Sequence, residues 1–227
     1  MSSIHIAVLV SGRGRGTNFQ ALLDGCRSGQ IPGNISILIS SSPDTPAIQR
    51  AAAAGVSTAY LPPPGRKDLL GEELADAEEL AKAEDSYDSS LLDLLTRNNI
   101  DLVCLAGYMR KIGPRVLAAY PNRIMNTHPS LIPAFCGKGM YGSHVHEAVL
   151  AYGVKVSGCT VQFVDENYDA GPIIVQRAVP ARDDDTPASL AARVLVQEHQ
   201  AYVEAVRLFA LGRLRVEGRR VRVLPGS

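Results

Sequence analysis

The residues best suited to chemistry lie in the run Asn126-Thr127-His128-Pro129, which follows a short apolar segment. The amide of Asn126 can donate a hydrogen bond to an oxyanion, and the imidazole of His128 can donate one or move a proton. Pro129 fixes the path of the loop, so the imidazole can face a ligand crevice. The alternative is a partly buried histidine bonded to backbone, and this run alone does not decide between the two.

A second candidate is Asp169, in the turn Asp169-Ala170-Gly171-Pro172 between two predicted strands. Folded beside His128, its carboxylate would favour the imidazolium, raise the pKa of the histidine and complete an acid–base pair. An aspartate in a turn more commonly bonds to its own backbone. Both interpretations stay open, because only the fold can bring residues 128 and 169 together.

Residues 11–18 read Ser-Gly-Arg-Gly-Arg-Gly-Thr-Asn and join a predicted strand to a predicted helix. Backbone N–H groups and the helix dipole at such a junction can hold a phosphate. The glycines lack the G-x-G-x-x-G spacing of a dinucleotide site, and the Gly-Lys-Ser/Thr of a P-loop is missing. The alternative is a glycine turn in which Thr17 or Asn18 caps the helix.

The remaining histidines and cysteines do not predict a metal site. His144 and His146 are two residues apart, so they would not share a helix face. The four cysteines are widely spaced with no Cys-x-x-Cys pair, which argues against a zinc motif and a disulfide framework. We therefore expect reduced thiols, no metal and a cytoplasmic location.

Composition favours a small-molecule ligand. Lysine plus arginine and aspartate plus glutamate each total 23, so the net charge is zero and no basic field attracts nucleic acid or an anionic membrane. Tryptophan is absent and aromatic residues make up 5%, which weakens binding modes built on base stacking. No apolar run approaches the roughly 18 residues of a membrane-spanning helix. We expect neither a nucleic-acid partner nor a membrane partner.

Alternating strands and helices must position the candidate residues. Short β-branched apolar runs predict strands, and helical spacing of apolar residues predicts helices. The predicted strands are residues 4–10, 35–39, 56–61, 101–106, 123–126, 156–164 and 173–178. The predicted helices are residues 18–27, 47–54, 71–98 with an interruption near Asp85 and Ser86, 144–152, and 186–211 with Thr186 as N-cap.

This alternation predicts an α/β fold, a Rossmann-like and mostly parallel twisted sheet with helices on both faces. Residues 156–164 and 173–178 would pair across the Asp169 turn as an antiparallel edge. No repeat or low-complexity linker divides the chain, so we expect one domain over residues 1–227. Sheets of this kind bind ligands at the carboxyl ends of their strands.

Four segments together resemble the phosphoribosylglycinamide formyltransferases, a family of folate-dependent enzymes. They are residues 11–18, 106–110, 126–133 and 169–174, in matching order and spacing. The resemblance implies a formyltransferase fold, with a nucleotide-phosphate-binding half over about residues 1–100 and a folate-binding and catalytic half over about 101–211. It further implies formyl transfer from 10-formyltetrahydrofolate to the amine of glycinamide ribonucleotide (5'-phosphoribosylglycinamide) in de novo purine biosynthesis.

The resemblance also assigns roles by position. Asn126 and His128 would stabilise a tetrahedral intermediate at the formyl carbon, and Asp169 would keep His128 charged and assist proton transfer. The other expected contacts are Gly16, Thr17 and Asn18 with the phosphate, Glu198 with ribose hydroxyls, and Met109, Arg110, Lys111, Ile112 and Asn126 with the folate. The sequence leaves a homodimer open.

The chain departs from the family pattern at several positions. Gln162 stands where the family usually has histidine, and Leu195 stands where it has lysine or glutamine, so we expect rearranged substrate contacts. The loop 135–143 is longer than in the best-known members. The run Arg13-Gly14-Arg15 adds two arginines, which are either extra phosphate ligands or solvated side chains. Glu84 falls near the position of an arginine that some members aim at the folate tail.

Two other functions stay open. Methionyl-tRNA formyltransferases share the Asn-His-Asp trio, but they typically carry an extra domain for the larger acceptor, and we expect none after Leu211. The loop at residues 16–18 favours a small phosphorylated acceptor. A non-catalytic folate- or nucleotide-binding module would bind folate without turnover.

Overall fold

The computed structural model describes residues 3–12, 14–64 and 77–226 of the chain. The strands in this part of the chain are β1 Ile4–Val10, β2 Gly33–Ser40, β3 Ser57–Tyr60, β4 Leu102–Leu105, β5 Ile124–His128, β6 Val156–Phe163, β7 Ile173–Pro180, β8 Leu214–Glu217 and β9 Arg220–Val223. The helices are α1 Thr17–Arg27, α2 Pro46–Ala53, α3 Ala77–Arg97, α4 Pro114–Ala119, α5 Ser143–Tyr152 and α6 Pro187–Ala210.

The strands form one sheet in the order β3-β2-β1-β4-β5-β6-β7-β9-β8. The five strands from β3 to β5 are parallel, whereas β6 runs antiparallel to both β5 and β7. The chain builds outward from β1 in both directions, so the strand order reverses between β1 and β4. This arrangement confirms the predicted fold class and puts a crevice at the carboxyl ends of β1 and β4.

Helices cover both faces of the sheet because its central strands are apolar on both sides. In β1, Ile6 and Val8 face a core with α1, α2, α5 and α6, and Ala7 and Leu9 face a second core with α3 and α4. All four of these side chains are fully buried.

The predicted interruption of the third helix is wrong. Helix α3 runs through Asp85 and Ser86 without a break. Asp85 is on the exposed side, where its carboxylate accepts two hydrogen bonds from the Arg115 guanidinium, each 2.8 Å long. The polar pair therefore belongs to the solvent face of one helix. Residues 71–76 of the predicted helix lie outside the described residues.

The sequence patterns missed α4 and the β8–β9 hairpin. Helix α4 is only six residues long, and its start is capped from another helix: Asp88 of α3 accepts a 2.7 Å hydrogen bond from the backbone N–H of Arg115. Gly113 permits this approach, because a Cβ there would lie 2.2 Å from Asp88 Cγ. A cap contributed from a distant element leaves no local signature.

The N-terminus of α6 follows its prediction closely. Thr186 and Ser189 form a capping box, and Pro187 occupies the first turn. Asp185 just before the cap forms an ion pair with Arg193 at 2.7 Å. These contacts stabilise the start of α6, whose first turns border the crevice.

Across the described residues, we find no helix with the length and apolar character that a membrane span requires.

Candidate active site

A cleft of about 1440 Å³ opens at the carboxyl ends of the central strands. Its floor is the end of β5, one wall is the N-terminal half of α6, and the loop after β1 and the turn after β6 close its sides. Most of the predicted site residues line this cleft and come from separate parts of the chain, whereas Gly16 and Thr17 lie beside it, between the lining residues Arg15 and Asn18.

His128 is the last residue of β5, where the prediction ended the strand at residue 126. The strand continues because His128 pairs with Thr160 of β6 in the antiparallel register. The imidazole is 4% exposed, and its Nε2 lies 2.9 Å from the carbonyl oxygen of Phe135. Because a carbonyl oxygen only accepts, Nε2 carries a proton. The other ring nitrogen, Nδ1, lies 3.7 Å from Oδ2 of Asp169.

Asp169 reaches His128 from the turn between β6 and β7, with a positive φ of 53°. Its carboxylate accepts a 2.9 Å hydrogen bond from the backbone N–H of Gly137 at Oδ2 and a 3.2 Å bond from the Gln162 amide at Oδ1. Donors from another loop and a neighbouring strand therefore fix its orientation. Bonding to its own turn does not account for this geometry.

Asn126 lies two residues before His128 on β5, so the two side chains share one face of the sheet. Asn126 lines the cleft and pairs in register with Gln162 of β6. The amide oxygen of Gln162 is buried and has no hydrogen-bond partner in the described part of the chain. Asn126, His128 and Asp169 thus share one polar floor with Gln162, which replaces the histidine of the family pattern.

The loop at residues 14–18 delivers the start of α1 to the same cleft. Gly16 stands at the N-cap with φ of 70°, and no side chain among the described residues caps this helix. Its first turn contains no acidic residue, so the helix presents free N–H groups and a positive dipole end. A Cβ at Gly16 would lie 3.0 Å from the Cα of Ala47, so glycine suits both the φ and the space.

Asn18 and Glu198 join the α1 and α6 sides of the cleft. The Asn18 amide donates a 2.7 Å hydrogen bond to Oε1 of Glu198. Oδ1 of Asn18 is buried and has no partner within the described ranges, and Glu198 is 8% exposed. Burial raises the pKa of the Glu198 carboxyl, and the bond from Asn18 partly offsets that rise. The pair offers oxygen acceptors to a ligand with hydroxyl groups.

Met109 and Ile112 lie in the segment that follows β4. The backbone N–H of Met109 donates a 3.0 Å hydrogen bond to the hydroxyl of Ser11, which ties this segment to the end of β1. Met109 is 45% exposed and Ile112 is 7% exposed, and both line the cleft. They supply an apolar rim beside the polar floor.

The two cations of the same segment are held in place by other groups. Arg110 forms a 2.5 Å ion pair with Glu84 and lies 4.9 Å above the centre of the Tyr87 ring. Lys111 donates a 2.8 Å hydrogen bond to the backbone carbonyl of Glu166. Glu84, near the position of an arginine that some members of the family aim at the folate tail, therefore forms an ion pair with Arg110 at the rim of the cleft.

Two further departures also border the cleft. Leu195 is partly buried on α6, one turn before Glu198, and presents an apolar surface. Arg15 is exposed, and its backbone carbonyl accepts a 3.4 Å hydrogen bond from Nε of Arg50. Arg13 lies outside the described residues.

Sequence reasoning missed three contributors. The Phe135 carbonyl and the Gly137 N–H belong to the backbone, which a search for reactive side chains overlooks. His146 of α5 is 5% exposed and lines the cleft, and its buried Nδ1 has no partner in the described residues. Burial lowers the pKa of His146, and the nearby His128 lowers it further. Gly137, Gly139 and Gly142 all have positive φ, so these glycines were an available sign of an unusual backbone path beside this site.

Within residues 3–12, 14–64 and 77–226, no three histidine, cysteine, aspartate or glutamate side chains are grouped closely enough to hold a metal ion. The expectation that the reaction needs no metal stays a prediction.

Comparison with known proteins assigns the family. A model described as formyl transferase matches residues 4–206. The chain belongs to the formyl transferase family. The matched region contains the whole cleft floor, the loop before α1 and the cleft-facing part of α6, so the resemblance found in the sequence is confirmed.

Named members of the formyl transferase family are similar over most of the chain. Phosphoribosylglycinamide formyltransferase of Escherichia coli (strain K12) is 34% identical over 216 residues, 94% of this chain and 90% of that protein. The chloroplastic phosphoribosylglycinamide formyltransferase of Arabidopsis thaliana is 40% identical over 201 residues, and the chain spans 63% of its length. The crystal structure of glycinamide ribonucleotide transformylase 1 from Symbiobacterium toebii matches with a TM-score of 0.84 and 46% identity, over 98% of this chain and 95% of that one.

Proposed function

We propose that the protein transfers the formyl group of 10-formyltetrahydrofolate to the primary amine of 5'-phosphoribosylglycinamide, a step of purine biosynthesis. The observation that carries the proposal is the convergence of Asn126, His128 and Asp169 on one cleft floor, with His128 Nδ1 3.7 Å from Asp169 Oδ2. The relatives named as phosphoribosylglycinamide formyltransferases supply the substrate class.

The reaction develops opposite charges on two atoms bonded to the same carbon. A neutral amine attacks the formyl carbon, so negative charge develops on the formyl oxygen while the attacking nitrogen becomes positive. We assign Asn126 to donate to that oxygen through its amide, and His128 to donate through Nδ1 in its protonated form. By comparison with measured oxyanion donors, each such bond stabilises the transition state by about 3 kcal/mol.

Asp169 would accept the proton that the attacking amine loses. The tetrahedral intermediate loses one proton from the amine, and the N10 nitrogen of the folate takes up one as its bond to the formyl carbon breaks. A carboxylate beside the reacting carbon can accept the first proton, directly or through water. The separation of 3.7 Å between Nδ1 and Oδ2 exceeds a hydrogen bond, so neither atom uses its remaining hydrogen-bonding capacity on the other.

The N-terminus of α1 would hold the phosphate of the ribonucleotide, with Gly16, Thr17 and Asn18 as its ligands. Glu198 would accept hydrogen bonds from the ribose hydroxyls, because its carboxyl and the Asn18 oxygen, which has no partner among the described residues, lie at the same part of the cleft. This assignment places the phosphate ligands in the N-terminal half, whereas the ribose contact of the same ribonucleotide comes from Glu198 in the C-terminal half.

The folate would lie against Met109, Arg110, Lys111 and Ile112 and reach Asn126 with its formyl group. Pockets for a single small molecule commonly measure about 300–1,000 Å³. The cleft of about 1440 Å³ is larger, which supports two ligands side by side. The apolar rim of Met109 and Ile112 suits a flat aromatic ring.

The proposal is tested by the absorbance change of a 10-formyl folate when purified protein meets 5'-phosphoribosylglycinamide. We expect loss of the formyl folate only when the ribonucleotide is present. A sample without acceptor is the control for hydrolysis, and initiator methionyl-tRNA is the parallel acceptor. Turnover with the tRNA alone, equal loss without acceptor, or binding without turnover would each contradict the proposal.

A further inference from the structure

The Thr160 hydroxyl lies at the centre of a hydrogen-bond network directly behind His128. Thr160 is fully buried on β6 and pairs in register with His128. Its Oγ1 donates to the carbonyl of Ser130 at 2.7 Å and accepts from the N–H of Ile132 at 3.1 Å and from the Gln176 amide at 3.0 Å. One donor and two acceptors are all that a hydroxyl offers, so this group is saturated.

The network fixes the segment that leads to Phe135. The Gln176 amide also donates to the carbonyl of Ile132 at 3.0 Å, so β7 holds the same segment as β6. Within the segment, the Ser130 hydroxyl donates to the carbonyl of Ala134 at 2.6 Å. The next carbonyl along the chain is that of Phe135, the acceptor for His128 Nε2–H.

This connection determines which ring nitrogen of His128 is available for chemistry. A carbonyl held beside Nε2 requires the proton there, and the neutral ring then presents a bare Nδ1 towards Asp169 and the cleft. If the carbonyl moved, the proton could shift to Nδ1 and the ring could rotate. Hydrogen-bond partners of this kind commonly fix both the tautomer and the orientation of a functional histidine.

We propose that Thr160, supported by Gln176, is a positioning residue for His128: through residues 130–135 it holds the Phe135 carbonyl on Nε2 and so directs Nδ1 into the cleft. Neither side chain touches the cleft, since Thr160 and Gln176 do not line it. The expected effect of Thr160 on the reaction rate rests on the proposed formyl transfer, whereas its expected effect on the His128 tautomer does not.

The decisive variants are Thr160→Val, which keeps the shape and deletes the hydroxyl, and Thr160→Ser, which restores it. For Thr160→Val we expect kcat to fall about 10- to 100-fold, as for other groups that orient a functional histidine, with KM for both substrates within about twofold. Thr160→Ser should recover most of the wild-type kcat. Gln176→Leu, at an exposed residue, should lower kcat by a smaller factor with KM again little changed. It replaces Thr160→Val as the test variant if Thr160→Val does not fold.

Nitrogen-15 NMR of the His128 ring gives a readout that a merely structural role would not change. At a pH where the ring is neutral, we expect protonated Nε2 and bare Nδ1 in the wild type and in Thr160→Ser. Thr160→Val and Gln176→Leu should show a mixture of the two tautomers. The matched control is Gln200→Leu, because this exposed glutamine of α6 accepts a bond from Arg177 and lies outside the network.

An unchanged His128 spectrum in both Thr160→Val and Gln176→Leu would overturn the proposal, whatever their activity. A changed tautomer with unchanged kcat would overturn the catalytic part. Because the spectrum needs no substrate, failure of the proposed formyl transfer would leave the tautomer test intact.

Discussion

At the residue scale, the proposed chemistry depends on polar groups whose partners come from other elements. The backbone carbonyl of Phe135 lies at Nε2 of His128, and the Asp169 carboxylate lies near Nδ1. Both carboxylate oxygens of Asp169 accept hydrogen bonds. Such side chains lose little orientational freedom when a substrate arrives. A change of charge there should therefore affect the transition state more than substrate binding.

We predict that His128→Ala and Asp169→Asn each lower kcat on the order of 100- to 1,000-fold, because each removes a group that acts on charge formed in the transition state. Folate affinity should change little by comparison. Steady-state kinetics and folate titration check this. His144→Ala and Glu166→Gln, both exposed, are the controls. Wild-type turnover in either test variant would remove that residue from the mechanism.

The buried carboxyl of Glu198 should make part of the free energy of unfolding depend on pH. Burial raises the pKa of its carboxyl above the ordinary value of about 4.3. Between that value and the raised pKa, the folded protein holds a proton that the unfolded chain has released, so stability falls as the pH rises through this window. We expect Glu198→Gln to lose less stability than the wild type over that range in chemical unfolding. Glu166→Gln, an exposed control, should show the same pH dependence of unfolding free energy as the wild type. If Glu198→Gln also showed the wild-type pH dependence, the raised pKa of Glu198 would be contradicted.

At the element scale, the start of α6 matters most, because this helix supplies one wall of the cleft. The Thr186 cap, the Ser189 capping box and the Asp185–Arg193 ion pair all lie within its first two turns. Hydrogen bonds from Arg193, from the N–H of Arg182 and from Ser189 lower the pKa of Asp185 well below its usual range. The ionised carboxylate therefore helps to keep the helix start in place.

We predict that Asp185→Asn destabilises the protein at neutral pH and that its deficit shrinks in acid. A lowered pKa contributes stability above the ordinary value of about 3.9, and that stability is lost as the pH falls towards the folded-state pKa. Unfolding midpoints of both proteins from neutral pH to below pH 4 measure the effect. Asp184→Asn, at the exposed neighbouring residue, should match the wild type. A deficit that is constant with pH would show that charge is not the cause.

At the scale of the whole molecule, the cleft joins distant parts of the chain. The loop proposed to hold the phosphate precedes α1, the floor of the cleft is β5, and one wall is α6. A ligand that spans these parts binds the folded state and has no equivalent site in the unfolded chain. Ligand binding should therefore stabilise the complete fold.

We predict that 5'-phosphoribosylglycinamide at 100 times its Kd raises the free energy of unfolding by about 2.7 kcal/mol. Thermal unfolding with increasing ligand measures the gain. Glycinamide without the phosphoribosyl group should stabilise far less, because it cannot reach the start of α1. Asn18→Ala should need more ligand for the same gain, since it deletes the bond to Glu198. Equal stabilisation by glycinamide would contradict the phosphate site.

The sequence alone determined the α/β alternation, the antiparallel edge, the N-cap at Thr186 and the family, because apolar periodicity, capping residues and short motifs are encoded locally. It could not determine that α3 continues through Asp85, that Asp88 caps α4, or that β5 reaches His128, because each depends on a partner far away in the chain. The sequence also nominated Asn126, His128 and Asp169, but their proximity required the sheet register. Backbone groups such as the Phe135 carbonyl and the Gly137 N–H acquire a role only when tertiary structure brings them to a side chain.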